Sequence, residues 1–298
     1  MYKEFYKLRL NPFEITPDPS FLFFTKRHQE ALIALYYGVQ QRKGIVVLTG
    51  SVGTGKTLLI RCLLRMVEDC DIARAYVFNG RLSTLEFLHY VATEFGLAAS
   101  GKTKGELLQD LRSYLVARHQ KKLTTMIVVD DAQDLSIELL EEIRLLTNLE
   151  TEEEKLLQIL LVGQPELDEK LDSFELRQLK QRIALRSHLE PFSLEETSSY
   201  IRHRLQRASA SSKARDLFAD QAIKSVYRYS RGVARLVNTI CENALINAFA
   251  RQLPSVPPDI IDEVANDLRL SVASSLPVER SKGGGGALQA HGDAALIA

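Results

Sequence analysis

Residues 45–57 read Ile45-Val46-Val47-Leu48-Thr49-Gly50-Ser51-Val52-Gly53-Thr54-Gly55-Lys56-Thr57. A short apolar, β-branched run meets a glycine-rich turn, and a helical pattern opens at Lys56 and continues to Val67. The turn fits G-x-x-x-x-G-K-[ST] at every position, in the strand-to-helix setting that its mechanism requires. Glycines let the backbone curl so that its N–H groups point inward at phosphate oxygens, and the helix N-terminus adds its dipole. Gly50, Ser51, Val52, Gly53, Thr54 and Gly55 then cradle the phosphates. Lys56 reaches the β- and γ-phosphates, and the Thr57 hydroxyl ligates magnesium. The expected ligand is ATP with Mg2+.

Outward from this stretch, strand and helix signals alternate. A helix is expected from about His28 to Arg42, with Ala31, Leu32, Leu35 and Val39 on one face. Ala75–Phe78, Met126–Val129 and Ile159–Gly163 are further strand candidates. Between them lie helices opened by Ser83-x-x-Glu86 and Thr103-x-x-Glu106, both of capping-box form, and one marked by Leu135, Leu139, Ile143 and Leu146. Apolar strands separated by helices predict a parallel sheet covered on both faces, an α/β domain over residues 28–190. After Pro191 the strand signals stop. Ser193-x-x-Glu196 caps one helix, Asp220 is placed as the cap of a second, Val233 to Ala248 forms a long stripe, and Ile260–Leu268 is a last short helix. Residues 191–270 therefore read as a small all-helical domain. Residues 1–27, rich in Phe, Tyr and Pro, are expected to pack as an irregular arm on the domain that follows. Residues 271–298, with the Gly283–Gly286 run, read as a disordered tail.

The expected companion of the glycine loop is Met126-Ile-Val-Val-Asp130-Asp131. Four apolar strand residues deliver Asp130 to the carboxyl edge of the sheet, where ligands bind in open α/β folds, and there its carboxylate can hold the magnesium through water. Asp131 stands ready to polarise the attacking water. Asn79, closing the second strand, is open to two roles: a hydrogen bond to Asp131 in one nucleotide state, or turn formation. Gln164 after the fourth strand is equally open between a γ-phosphate or water contact and an ordinary turn before a helix starting at Pro165. Arg182, with Arg186 as the alternative, is a candidate finger for a neighbouring subunit's ATP, against the usual fate of a solvated charge. Arg235 falls in the first turn of the long helix, where it opposes the helix dipole and invites a bound anion nearby.

Composition bounds the function classes. The 298 residues are 45% hydrophobic, enough for a real core, and 38 Lys plus Arg balance 38 Asp plus Glu. A net charge of zero argues against a surface built for indiscriminate nucleic-acid binding. Cys62, Cys70 and Cys241 show no metal-ligand spacing and read as reduced thiols packed in helices. With no signal-peptide pattern and no run of about 18 apolar residues, the expectation is a cytoplasmic protein without a membrane span.

Taken together these residues resemble the AAA+ ATPases, and more narrowly the ExeA-like family of general secretion pathway protein A, over about residues 1–270. The resemblance is carried by Met1-Tyr2 to Phe5, Leu8-Arg9, Asn11-Pro12-Phe13, Thr16-Pro17-Asp18-Pro19 and His28-x-Glu30-Ala31-Leu32. It continues through the phosphate loop, Asp130-Asp131-Ala132-Gln133, Gly163-Gln164-Pro165-Glu166-Leu167, Gln181-Arg182-Ile183 and Ser230-Arg231-Gly232-x-x-Arg235-Leu236-x-Asn238. It implies that Gln164 is sensor 1, Arg235 sensor 2 and Arg182 the inter-subunit finger of a ring or dimer. It also implies that the arm lies near the adenine and that a helical lid follows the α/β domain. The family usually carries Asp-Glu where this chain has Asp130-Asp131, which implies slower hydrolysis or a differently activated water. Family members that span the inner membrane continue into a transmembrane helix and a peptidoglycan-binding domain, where this chain has the 271–298 segment. The function expected is an oligomeric ATPase acting on a partner protein of an envelope secretion, pilus or exopolysaccharide export system, with recruitment to the inner membrane face left open. The rivals are a DNA-associated AAA+ regulator of transposition or replication and a nucleotide switch with little turnover.

Overall fold

Ile45–Gly50 (β1), Thr125–Val129 (β3) and Gln158–Gly163 (β4) bury every residue, which is what a strand covered on both faces demands. With Ala73–Val77 (β2) and Ile183–Leu189 (β5) at the edges they form one sheet in the order β2-β3-β4-β1-β5, all neighbours parallel. The computed structural model describes residues 1–14, 16, 18–78, 80–209 and 216–270. The call for Asn79 as a site residue and the expected tail at 271–298 lie outside the described residues.

The period of two along each strand sorts side chains between two cores. Ile45, Val47, Ile127, Val129, Ile159 and Leu161 face the helices Thr84–Glu94 (α4), Lys104–Gln120 (α5) and Ile137–Leu146 (α6). Val46, Leu48, Met126, Val128, Leu160 and Val162 face Lys26–Gln40 (α2) and Lys56–Met66 (α3). Ser83 and Thr103 complete capping boxes, each accepting from the backbone N–H three residues on while that glutamate bonds back. Local differences from the sequence pattern have packing causes. Leu85 and Phe78 are exposed, because the buried stripe of α4 runs through Phe87, Leu88, Val91 and Ala92 and β2 ends at Val77. Leu135 lies ahead of α6, which Ser136 caps. Cys70 is exposed at the end of a 3-10 turn, whereas Cys62 and Cys241 are buried.

Pro165–Leu171 (α7) and Arg177–Lys180 (α8) join β4 to β5. Leu194–Ala208 (α9), Asp220–Ser230 (α10), Ala234–Ala250 (α11) and Pro258–Asp267 (α12) follow as a helical region with its own core. Asp220 is the first helical residue of α10 rather than its cap, which is Ala219, and it pairs with Arg202 on α9 at 2.6 Å. The turn into α11 passes through Gly232 at φ +77°, where a Cβ would stand 1.8 Å from the carbonyl oxygen of Phe192. Only glycine lets this turn lie against the chain leaving the sheet.

The N-terminal segment corrects the expectation that it packs on the α/β domain. Tyr6, Leu8, Phe13 and Phe21 are buried in the core of the helical region, around Tyr200, Phe218 and Ile240. Beyond Tyr2–Phe5 (α1), Arg9 N–H donates to Ala208 O at 2.7 Å, Tyr2 OH to Glu242 Oε1 at 2.7 Å and Tyr6 OH to Leu253 O at 3.0 Å. Seven aromatics within the first two dozen residues are more than a sheet face already covered by α2 and α3 can accept, and α9 to α12 leave the complementary apolar surface.

Candidate nucleotide site

The parallel register brings the carboxyl ends of β1, β3 and β4 to one edge, and β4 lies between the other two. Gly50 ends β1, Asp130 follows β3 and Gln164 follows β4, and the cleft above them is closed on its far side by the N-terminal segment and the helical region. It encloses about 380 Å3 and is lined by the loop from Val52 to Thr57, by Asp130, Asp131, Gln164 and Arg235, and by Phe21, Phe23, Phe192 and Tyr200. A polar floor beside an aromatic wall suits a ligand with a charged tail and a flat apolar head.

On the floor, Lys56 Nζ is folded back onto the loop and donates to Gly50 O at 2.7 Å and Ser51 O at 3.1 Å. Burial pulls its ammonium below the ordinary lysine range, and the carboxylates of Asp130 and Asp131 oppose that shift. A buried cation held only by carbonyls is poised to take an anion. Thr57 Oγ1 donates to Asp130 Oδ2 at 3.3 Å, and the same oxygen accepts from Tyr76 OH at 2.7 Å. Desolvation and the Asp130 charge push the Tyr76 phenol up, so it stays protonated and donating.

Thr57 and Asp130 present hard oxygen donors side by side, and among the described residues no cluster of three or more His, Cys, Asp or Glu side chains is arranged to hold a metal. That donor set fits magnesium, which keeps several waters and takes one or two protein ligands together with substrate phosphates. Thr57 and Asp130 are the residues that would hold it, and bound there it would neutralise charge building up on the phosphates.

Asp131 has left-handed backbone (φ 52°) at the start of a single 3-10 turn, Ala132–Asp134. Its side chain is exposed to the cleft, and its Oδ1 accepts from Gln133 Nε2 at 3.2 Å. Gln164 is the N-terminal cap of α7 through its backbone, with Pro165 next, while the residue also lines the cleft. The turn before a helix is thus formed as one of its two readings expects, and the residue also stands in the cleft lining. Arg235, in the first turn of α11, reaches the cleft from the helical side, and its N–H donates to Gly53 O at 3.2 Å.

Arg182 is elsewhere. Ile183 pairs with Ile45, the first residue of β1, whereas the phosphate loop follows the last, so about 16 Å of strand separates Arg182 from its own cleft. There its guanidinium donates to Thr147 Oγ1 at 2.9 Å. Arg186 lies within β5, against Asp168 and Asp172.

Several lining residues had no assigned role in the sequence. His28 is buried, with Nε2 3.1 Å from Thr54 O and Nδ1 2.8 Å from Thr25 Oγ1. A carbonyl only accepts, so Nε2 carries the proton and the threonine hydroxyl donates to Nδ1. Arg204, also buried, donates to Tyr200 OH at 2.6 Å, and Tyr200 OH donates to Asn238 Oδ1 at 2.9 Å. Tyr76, which stands behind Asp130 rather than in the lining, left a local trace: it alternates with Ala75 and Val77 onto the face of β2 beside Asp130. The others meet the cleft through long-range packing.

Fold and cleft together define a P-loop protein of the AAA+ class. An AAA domain family model matches residues 39–171. The fold is like that of Aeropyrum pernix ORC2 (TM-score 0.64, 17% identity, 86% of this chain and 71% of that one) and of Cdc6p from Pyrobaculum aerophilum (TM-score 0.62, 16% identity, 89% and 70%). It is also like the RuvB Holliday junction branch migration motor of Thermotoga maritima (TM-score 0.51, 14% identity, 82% and 70%). In sequence the chain is similar to general secretion pathway protein A of Aeromonas hydrophila, 44% identical over 252 residues, which is 84% of this chain and 45% of that protein. The chain is ExeA-like in sequence, carries an AAA domain over residues 39–171, and spans about half the length of this relative. Among the described residues no helix is long and apolar enough to cross a membrane.

Proposed function

We propose that the protein hydrolyses ATP with magnesium and uses the cycle to drive or switch a partner protein in an envelope secretion, pilus or exopolysaccharide export system. The observation that carries the ATPase reading is the convergence of Lys56, the Thr57–Asp130 pair, Asp131, Gln164 and Arg235 on one cleft. The export role draws on the likeness to general secretion pathway protein A. In this reading Lys56 and Arg235 hold the β- and γ-phosphates. Asp131 accepts a proton from the attacking water as its oxygen bonds to the γ-phosphorus and the bond to ADP breaks. Gln164 touches the γ-phosphate. The N-terminal segment and the helical region, acting as a lid, close over the base.

Arg182 acts in trans in a ring or dimer. Its distance from its own cleft supports this, because a finger held at the opposite end of the sheet has work only in another copy. The protein works in the cytoplasm, at the inner membrane face when its partner recruits it.

The test is ATP hydrolysis against protein concentration for wild type, Lys56→Ala, Asp131→Asn and Arg182→Ala. Specific activity that rises with concentration and is lost in all three variants is the expected result. Flat specific activity with active Arg182→Ala removes the oligomer. A DNA-associated role draws only on the fold neighbours, and salt-sensitive DNA binding would establish it instead.

A further inference from the structure

We infer that Gln133 is a positioning residue that couples the Asp131 carboxylate to the γ-phosphate contact at Gln164. The inference rests on the reading of Asp131 as the group that receives the water's proton. Gln133 Nε2 donates to Asp131 Oδ1 at 3.2 Å, and Gln133 Oε1 accepts from the backbone N–H of Gln164 at 3.0 Å. The two contacts have opposite polarity. A carboxylate takes only a donor and a backbone N–H takes only an acceptor, so the amide has one orientation and spans both groups at once.

The surroundings hold this bridge in place. Lys170 Nζ on α7 donates to Gln133 O and, at 2.8 Å, to Leu135 O, which pins the backbone of the 3-10 turn to the helix that Gln164 caps. The N–H of Gln164 is an orphan donor at the helix start, and no side chain within the cap satisfies it; Gln133 does so from 31 residues away. Asp131 sits in left-handed backbone with its side chain exposed, so without this partner its rotamers would be free. A shift of Gln164 toward or away from a γ-phosphate therefore moves the amide, and the amide turns the carboxylate. The device sets the angle of Asp131 when the γ-phosphate is present and relaxes it when the phosphate has left.

The experiment compares wild type, Asp131→Asn, Gln133→Leu and Gln133→Glu for ATPγS affinity, single-turnover hydrolysis rate and thermal midpoint. Gln133→Glu retains an acceptor for the Gln164 N–H but turns a carboxylate toward Asp131. The expected result is a hydrolysis rate lower by about tenfold or more in both Gln133 variants, with ATPγS affinity within about twofold of wild type. Combining Gln133→Leu with Asp131→Asn should add no further loss, since the bridge then has nothing to orient. A purely structural cap predicts that Gln133→Glu hydrolyses like wild type, and that result overturns the inference. So does a parallel loss of affinity, rate and thermal midpoint in both variants. If Asp131→Asn hydrolyses like wild type, or wild type does not hydrolyse, the reading of Asp131 falls and the coupling with it. An inactive Asp131→Asn beside a fully active Gln133→Glu sinks the coupling alone.

Discussion

The backbone N–H of Arg235 donates to the carbonyl of Gly53 at 3.2 Å, so the first turn of α11 rests directly on the phosphate loop. A Cβ on Gly53, which has φ +82°, would lie 2.7 Å from Arg235 Cβ. The loop and the helical region approach this closely only because the residue is glycine. Gly53→Ala is expected to separate them, weakening ATP binding about tenfold and costing about 1–2 kcal/mol of stability. Arg235→Ala keeps the backbone bond and removes only the charge. It should slow hydrolysis while leaving the urea midpoint unchanged. Calorimetric titration and urea unfolding of both variants check the pair.

Lys56 is the buried cation whose partners in the free protein are two loop carbonyls. Lys56→Ala should weaken ATP binding by about tenfold to a hundredfold, the loss of a charge-assisted contact. Because the ammonium is desolvated, the nucleotide-free variant should melt no lower than wild type. A large fall in melting temperature would mean that Lys56 is chiefly a structural brace.

Arg182 and Lys56 occupy opposite ends of the sheet, which makes a mixing experiment decisive. Arg182→Ala and Lys56→Ala should each be inactive alone. Mixed, an intact cleft from one meets an intact finger from the other, and activity should recover to a sizeable fraction of wild type. Recovery in the ATPase assay on mixing is the readout, and its absence argues against a finger supplied in trans.

The N-terminal segment is part of the core of the helical region. Phe13 is fully buried and meets Phe218 edge-on at 5.9 Å. Phe13→Ala should therefore cost about 3–5 kcal/mol in urea unfolding, as for any large buried aromatic. A loosely attached strap would show almost none.

His28 gives stability a pH dependence. Burial pulls its pKa below the ordinary value, while its bond to Thr54 O and the charge of Glu196 act the other way. A folded value below the unfolded one means that the unfolded chain binds more protons in the window beneath about pH 6.5. Stability is then full above that window and falls as the pH drops through it. His203 shifts in the same direction, so His28→Gln should shrink the loss between pH 7.5 and 5.5 without abolishing it. Urea midpoints at the two pH values for wild type and variant measure the difference.

The sequence by itself determined the parts of this protein that depend on local chemistry. The glycine loop, the apolar strands ending at Asp130 and Gly163, and the capping boxes at Ser83 and Thr103 are each specified within a few residues. Period-two burial and helix capping act over that same short range, so they can be read from neighbours in the chain. The tertiary structure alone decided the rest. Strand order placed β4 between β1 and β3, which set Gln164 beside Asp130, and strand direction put Arg182 at the far edge. The N-terminal aromatics found their partners far along the chain, Phe13 against Phe218 and Phe23 against Phe192, and Gln133 reached Gln164 across 31 residues. Such contacts are chosen by which apolar surfaces remain uncovered and which polar groups remain unpaired once the elements have packed, and no local pattern encodes that remainder.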